Sequence, residues 1–193
     1  MSELDIYGPH ITGGKLAVDV GASQGEFTFK FAEKYKRVIA YEPLPAARQI
    51  MAARVMPDNV EVRPTAVWSS CGRLTLYAHS WDKLTGIHKT HPQWPSISDM
   101  PFDVKAVSLD SDLRSQVPDL IKIDTEGAET RIIDGAMDTI ERCRPKLMIE
   151  LHHKMSWKII QKRLAQFSYI WKTWPSPDGE PNPLKVKHMV GVV

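Results

Sequence analysis

Short apolar runs and amphipathic stretches alternate along most of this 193-residue chain, and that alternation limits its fold more than any other feature. Residues 15–20 (KLAVDV), 37–41 (RVIAY), 59–67 (NVEVRPTAV), 120–124 (LIKID) and 146–151 (KLMIEL) are apolar, often β-branched runs of strand length. Helices are expected between them at 26–36, 45–55 and 128–141. In the first, Phe27, Phe31 and Tyr35 recur every four residues as one apolar stripe. In the third, Ile132, Ile133, Ala136, Met137 and Ile140 share a side. Pro64 weakens the third strand midway. A last helix, with Ser156 as N-cap, runs to Gln166, and residues 169–173 and 187–193 read as closing strands around the turn-rich PSPDGEPNP. Such a rhythm predicts an α/β fold, a doubly wound, mostly parallel sheet covered on both faces. Ligands bind such sheets beyond the carboxyl ends of the strands, where the strand order reverses.

The rhythm lapses from about 68 to 109, which predicts an insertion before the fourth strand of one domain spanning 1–193. Two strand-like runs, RLTLYA and DVKAVSL, flank HSWDKLTGIHKTHPQWPSISDMP. An aperiodic loop this long is usually functional or disordered. Trp81, His88 and Trp94 are its candidate acceptor contacts, since an indole stacks well on a sugar or ring. His88 and His91 would supply half a zinc site, but no second pair matches them.

With 42% apolar and 25% charged residues, the chain can bury one sizeable core. The N-terminal MSELDIYG lacks an apolar signal segment, and no run approaches the roughly 18 apolar residues of a membrane span. The two cysteines form no C-x-x-C pair, which fits a reducing compartment, so a cytoplasmic protein is expected. At net charge +2, the basic clusters Lys34/Lys36/Arg37 and Lys154/Lys158/Lys162/Arg163 are interrupted by apolar residues. They read as solvated helix faces rather than a nucleic-acid stripe.

Chemistry is expected where the first strand meets its helix, at VDVGASQGEF. Gly21 and Gly25 allow a sharp turn and close backbone approach to a ligand. Their G-x-x-x-G spacing is not the G-x-G-x-x-G of a dinucleotide pyrophosphate site. Glu42 ends the second strand 21 residues after Gly21, where an acid accepts hydrogen bonds from ribose hydroxyls. Together these point to an adenosine-containing ligand. A Rossmann oxidoreductase using NAD and a non-catalytic adenosine-binding module are the alternatives.

VDVGASQGEFTF, AYEP, NVEVRPTAVWSSCGRLTLY, VSLDS, LIKIDTEGAE and PKLMIELH together resemble the successive motifs of FkbM-type S-adenosylmethionine-dependent methyltransferases. The resemblance runs from about residue 15 to 153. It implies the class I methyltransferase fold, a seven-stranded sheet of order 3-2-1-4-5-7-6 with an antiparallel seventh strand at 187–193. It also implies S-adenosylmethionine as cofactor. The cofactor's amino-acid end would lie against Gly21, Ala22, Ser23 and Gly25 beside Phe27. Its ammonium would face Asp19, its ribose Glu42, and its adenine Pro43, Leu44 and Ala66. From the resemblance alone, the acceptor is a hydroxyl on a sugar or small metabolite.

In that fold the fourth strand lies beside the first. Lys122 and Asp124 are two apart, hence on one face, and a buried Lys122 would need Asp19 or Glu150 as partner. Glu150 and His152 share a face at the end of the fifth strand. Asp124, Glu150 and His152 are therefore the candidate catalytic residues, with Asp124 also near the cofactor and Glu126 near the acceptor. His152 suits a general base titrating near 6 to 7. Asp124, Glu126, Glu150 and His152 carry donors that Mg2+ or Mn2+ accepts, but their spacing does not show convergence, and no metal site is assigned.

Overall fold

The computed structural model describes residues 3–78, 85–86, 100–153, 155–175 and 188–193. Seven strands build the main sheet: β1 (Gly14–Val20), β2 (Tyr35–Tyr41), β3 (Val60–Arg63), β8 (Leu120–Ile123), β9 (Lys146–Glu150), β10 (Ile170–Trp174) and β11 (His188–Val192). Their order is β10-β11-β9-β8-β1-β2-β3. All pairings are parallel except those of β11, which runs antiparallel to both β9 and β10. This is the doubly wound sheet expected from the sequence, and β1 and β8 flank the point where strand order reverses.

Side-chain alternation divides the core into two layers. Leu16, Val18 and Val20 of β1 and Ile121 and Ile123 of β8 face one side, packing with Ile132, Ile133, Ile140, Ile160 and Leu164. Ala17, Leu120, Met148 and Val190 face the other side. There Ile6 and Tyr7 of α1 (Glu3–Tyr7) and Phe27 and Phe31 of α2 (Glu26–Ala32) cover them. Period-two geometry puts Asp19, Lys122, Glu150 and His188 on this second face, at the carboxyl ends of the parallel strands. All four are buried, a polar row beneath α1 and α2.

Between β3 and β8 lies a smaller sheet ordered β4-β7-β5-β6, from β4 (Ala66–Val67), β5 (Gly72–Ala78), β6 (Thr85–Gly86) and β7 (Met100–Val107). It is the expected insertion. Trp81, His88, His91 and Trp94 lie outside the described residues.

Several boundaries differ from the sequence reading, each for a tertiary reason. The first helix stops at Ala32 rather than at 36, and Tyr35 and Lys36 belong to β2. The Tyr35 ring nevertheless continues the stripe, packing edge-on against Phe31 at 6.0 Å. The run 59–67 is two strands in different sheets, parted at Pro64, which has no N–H to continue the ladder. The helix expected at 128–141 is two, α5 (Glu129–Asp134) and α6 (Met137–Cys143), broken at Gly135. A Cβ on Gly135 would lie 2.2 Å from the Trp68 carbonyl oxygen, so close docking of the insertion requires the glycine. Ser156 is no cap: Met155 holds that position and Ser156 is buried inside α7 (Ser156–Leu164). The second helix, α3 (Pro45–Ala52), stops short of 55, and two short helices, α1 and α4 (Leu109–Asp112), have no counterpart in the sequence reading.

The first turn of α6 is capped from a distance. Asp110 accepts from the backbone N–H of Thr139 at 2.7 Å and of Asp138 at 3.2 Å. Asp110→Ala is expected to lower the urea-unfolding free energy by about 1 kcal/mol, the usual cost of losing an Asp cap. An unchanged midpoint and slope would show that the cap carries no stability.

Candidate functional site

The polar row is organised around Lys122. Its ammonium, 3% exposed at the side chain, lies 3.0 Å from Asp124 Oδ2 and 3.9 Å from Asp19 Oδ1. It also sits 4.7 Å from the centre of the Phe27 ring. Burial opposes its charge, but Asp124 and Asp19 outweigh burial and hold its pKa above the ordinary lysine value. Asp19, fully buried, accepts from the Thr28 hydroxyl at 2.6 Å through Oδ2. Its Oδ1 has no hydrogen-bond partner among the described residues. Burial raises the Asp19 pKa against the pull of Lys122. For Asp124, Lys122 and His152 together overcome burial and keep the carboxyl below its usual range.

On one side of Lys122 is the glycine loop. Gly21 has φ +79°, and a Cβ there would fall 1.8 Å from the Asp124 carbonyl oxygen, so β1 and β8 approach this closely only with glycine present. Ser23, at φ +49°, is exposed, whereas Gly25 closes the turn at φ +87°. The loop is not an anion cradle, in keeping with its glycine spacing. The amides of Gly21 and Ala22 donate to the Tyr41 carbonyl, that of Ser23 to Glu42, and that of Gly25 to the Ala22 carbonyl.

Glu42 closes the same loop. Its Oε2 accepts from Ser23 N–H and its Oε1 from Leu44 N–H, both at 2.7 Å, so the strand-end acid binds the β1 and β2 loops together. Burial raises its pKa against these two amides. Each oxygen keeps acceptor capacity for a further donor. Pro43 and Leu44 are half-buried beside it. Phe27 is buried in the core against Tyr7, and Ala66 in a small cluster with Leu76 and Val104.

On the other side four carboxylates surround one imidazole. His152 Nδ1 lies 2.9 Å from Glu129 Oε1, and Nε2 lies 3.4 Å from Glu126, 3.5 Å from Glu150 and 3.7 Å from Asp124. Burial works against charge on the ring, but Glu129, Glu126 and Asp124 outweigh it and raise His152 to about 10. That revises the expectation of a base titrating near neutrality: the surrounding carboxylates favour the protonated ring. Burial pushes Glu126, at φ +51° on the loop after β8, up to about 6. Glu3 of α1 also reaches the cluster, where burial and Glu150 raise it to about 8. Asp124, Glu126, Glu150 and His152 thus converge.

Sequence reasoning missed Glu129, Glu3 and Thr28. Only Glu129 left a signal: it stands in LIKIDTEGAE, three residues after Glu126, with Gly127 between them to turn the chain. The Gly127 amide donates to Glu129 Oε1 at 2.8 Å and aims it at His152.

A family model described as the methyltransferase FkbM domain matches residues 19–171. No curated protein matches this chain. Among solved structures, the chain is similar to a methyltransferase FkbM from Methylobacillus flagellatus KT, with a TM-score of 0.64 and 19% identity. That match covers 92% of this chain but 43% of the relative, so the chain spans less than half of that relative's length. An rRNA methylase from Streptococcus thermophilus matches with a TM-score of 0.61 and 12% identity, covering 100% of this chain and 96% of that one. A candidate methyltransferase from Streptococcus mutans in complex with SAH matches with a TM-score of 0.59 and 10% identity, covering 100% and 99%.

Removing the ammonium of the polar row tests whether it holds the row together. Lys122→Met leaves Asp19 buried without a counter-charge, and about 3–5 kcal/mol of stability should be lost. Adding Asp19→Asn should restore part of that loss, as measured in urea. Additive losses would show that the two residues are not coupled.

Proposed function

The chain belongs to the FkbM methyltransferase family, and on that premise we propose that it transfers a methyl group from S-adenosylmethionine to a hydroxyl oxygen of a sugar or small metabolite. The observation that carries this reading is the division of the switch point. A glycine loop locked by Glu42 lies on one side of Lys122, and a ring of carboxylates lies on the other.

The residues present fit such a cofactor. It has no phosphate, and four amides of the loop are already used within the protein, which disfavours a pyrophosphate. It is cationic at its sulfonium and ammonium, and the site is rich in carboxylates. Asp19 Oδ1, a buried oxygen without a hydrogen bond, marks a place where polar partnership is incomplete. Glu42 would hold the ribose and the Gly21–Gly25 backbone the amino-acid end, with Pro43 and Leu44 flanking adenine. Ala66 and Phe27 would shape the site from their buried clusters, and Asp19 would receive the ammonium, directly or through water. When bound, the cofactor supplies an electrophilic methyl group.

The protein's part is alignment and proton removal. A hydroxyl acceptor loses its proton as its oxygen attacks. The carboxylates around His152 favour its protonated form, which makes it a poor acceptor for that proton; Asp124 and Glu126 are better placed, their side chains being 23% and 20% exposed while that of Glu150 is 4% exposed. Glu126 is the base in this reading, with His152 holding it in place and Glu150 holding His152. Trp81, His88 and Trp94 are proposed acceptor contacts on the insertion. An acid-lined reacting end disfavours a polyanionic nucleic acid as acceptor. No helix among the described residues is long and apolar enough to cross a membrane.

Calorimetry should show S-adenosylmethionine and its demethylated product binding one per chain, and NAD not binding. Glu42→Gln should weaken both ligands by about 1.5–3 kcal/mol, the range for a hydrogen bond to a charged group. NAD binding in their place would contradict the reading. With a panel of sugars, sugar nucleotides and small alcohols as acceptors, Glu126→Gln should slow methyl transfer by about 10²- to 10⁴-fold without changing cofactor affinity. Full turnover in Glu126→Gln would remove it as base.

A further inference from the structure

The carboxylate ring has a second property that methyl transfer alone does not require. One ligand atom from each of Asp124, Glu150 and His152 lies within 4.8 Å of the others. His152 Nε2 stands 3.7 Å from Asp124 Oδ1 and 3.5 Å from Glu150 Oε1. These separations exceed the roughly 2.7–2.9 Å of a charge-assisted hydrogen bond. They approach the roughly 3 Å that separates neighbouring atoms bound at about 2.1 Å to one ion.

The imidazole is an independent indication. Its side chain is 9% exposed, and Nε2 is aimed into the ring while Nδ1 is fixed by Glu129. Glu129 is fully buried, and the Gly127 amide donates to the same Oε1. A carboxylate that pins one ring nitrogen and leaves the other facing a set of donors is the outer support of a metal-bound histidine. Glu129 Oε2 is buried without a hydrogen bond among the described residues, a polar group whose partnership is incomplete.

Charge agrees with this arrangement. Lys122 offsets Asp124 through Oδ2 and leaves Oδ1 toward His152. Glu126, Glu129 and Glu150 all lie within 3.5 Å of the His152 ring nitrogens, and Glu150 also meets Glu3.

We propose that Asp124, Glu150 and His152 bind one hard divalent cation, Mn2+ or Mg2+, with Glu129 as positioning residue and Glu126 beside the open side. Oxygen donors with one imidazole and no thiolate select this class. The cation takes the position of the Nε2 proton, which passes to solvent, and the carboxylates that held the proton hold the metal. Its use, orienting the oxygens of a hydroxyl-bearing acceptor, rests on the methyltransferase reading; the binding does not.

The test is titration of the chelator-treated full chain with Mn2+, followed by electron paramagnetic resonance of free Mn2+ and by calorimetry. One saturable site per chain is expected. Asp124→Asn, Glu150→Gln and His152→Gln should each weaken binding by about tenfold or more, and Glu129→Gln by about 10- to 100-fold. Glu42→Gln should leave it unchanged. Circular dichroism confirms that each variant is folded, and Glu129→Gln, which keeps every ligand, reports on positioning if a ligand variant unfolds. Absence of saturable Mn2+ binding, or undiminished binding in the folded ligand variants, would overturn the proposal. Titration of the demethylated cofactor in the presence of chelator separates the two readings. Cofactor binding without Mn2+ binding removes the metal site alone, and Mn2+ binding without cofactor binding leaves the metal site standing while the methyltransferase reading falls.

Discussion

Lys122 places a cation in the interior of the sheet, 2% exposed, and the strand ends on both sides are arranged around it. A lone buried ammonium would be strongly disfavoured, so the fold must bring carboxylates to it. Asp19 comes from the neighbouring β1, directly opposite in register, and Asp124 from the turn that ends β8. A small displacement of β1 against β8 would leave a buried charge unpaired. The ion pair therefore sets the position of the Gly21 turn relative to the loop after β8, and Gly21, with no room for a side chain, makes that approach possible.

The two halves of the site use their polar groups in opposite ways. Around the glycine loop nearly every backbone donor is satisfied within the protein, and Glu42 ties two loops into one rigid ledge. Such preorganisation lets a ligand bind without first ordering the chain. Around His152 the carboxylates outnumber the cations, and the cluster is held by burial, by α1 and by Glu129. Excess negative charge is a poor way to stabilise a fold and a good way to receive a cation, whether the sulfonium of a cofactor, a metal or a proton.

What the sequence made legible follows from period and position. The apolar runs identified the parallel strands because buried parallel strands are apolar on both faces, and the acids at their carboxyl ends fell where ligands bind. Lys122 beside Asp124, and Glu150 beside His152, came from two-residue spacing alone. The parts that escaped depend on contacts distant in sequence. Gly135 looked like an ordinary helical residue because its constraint is the Trp68 carbonyl of the insertion. Glu129 stood inside an expected helix with no site role, since nothing local shows that it will meet His152. Glu3 belongs to a helix of five residues, too short to show a period. The protonation of His152 escaped for the same reason, because it is set by Asp124, Glu126 and Glu129, more than twenty residues away in sequence.

A crystal structure of the chain with the demethylated cofactor tests the division of the switch point most directly. The ribose hydroxyls should lie within hydrogen-bond distance of Glu42, the amino-acid end against the Gly21–Gly25 backbone, and the sulfur should face the space ringed by Asp124, Glu126, Glu150 and His152. An adenosine bound elsewhere, or a sulfur turned away from that ring, would contradict the assignment of the two halves.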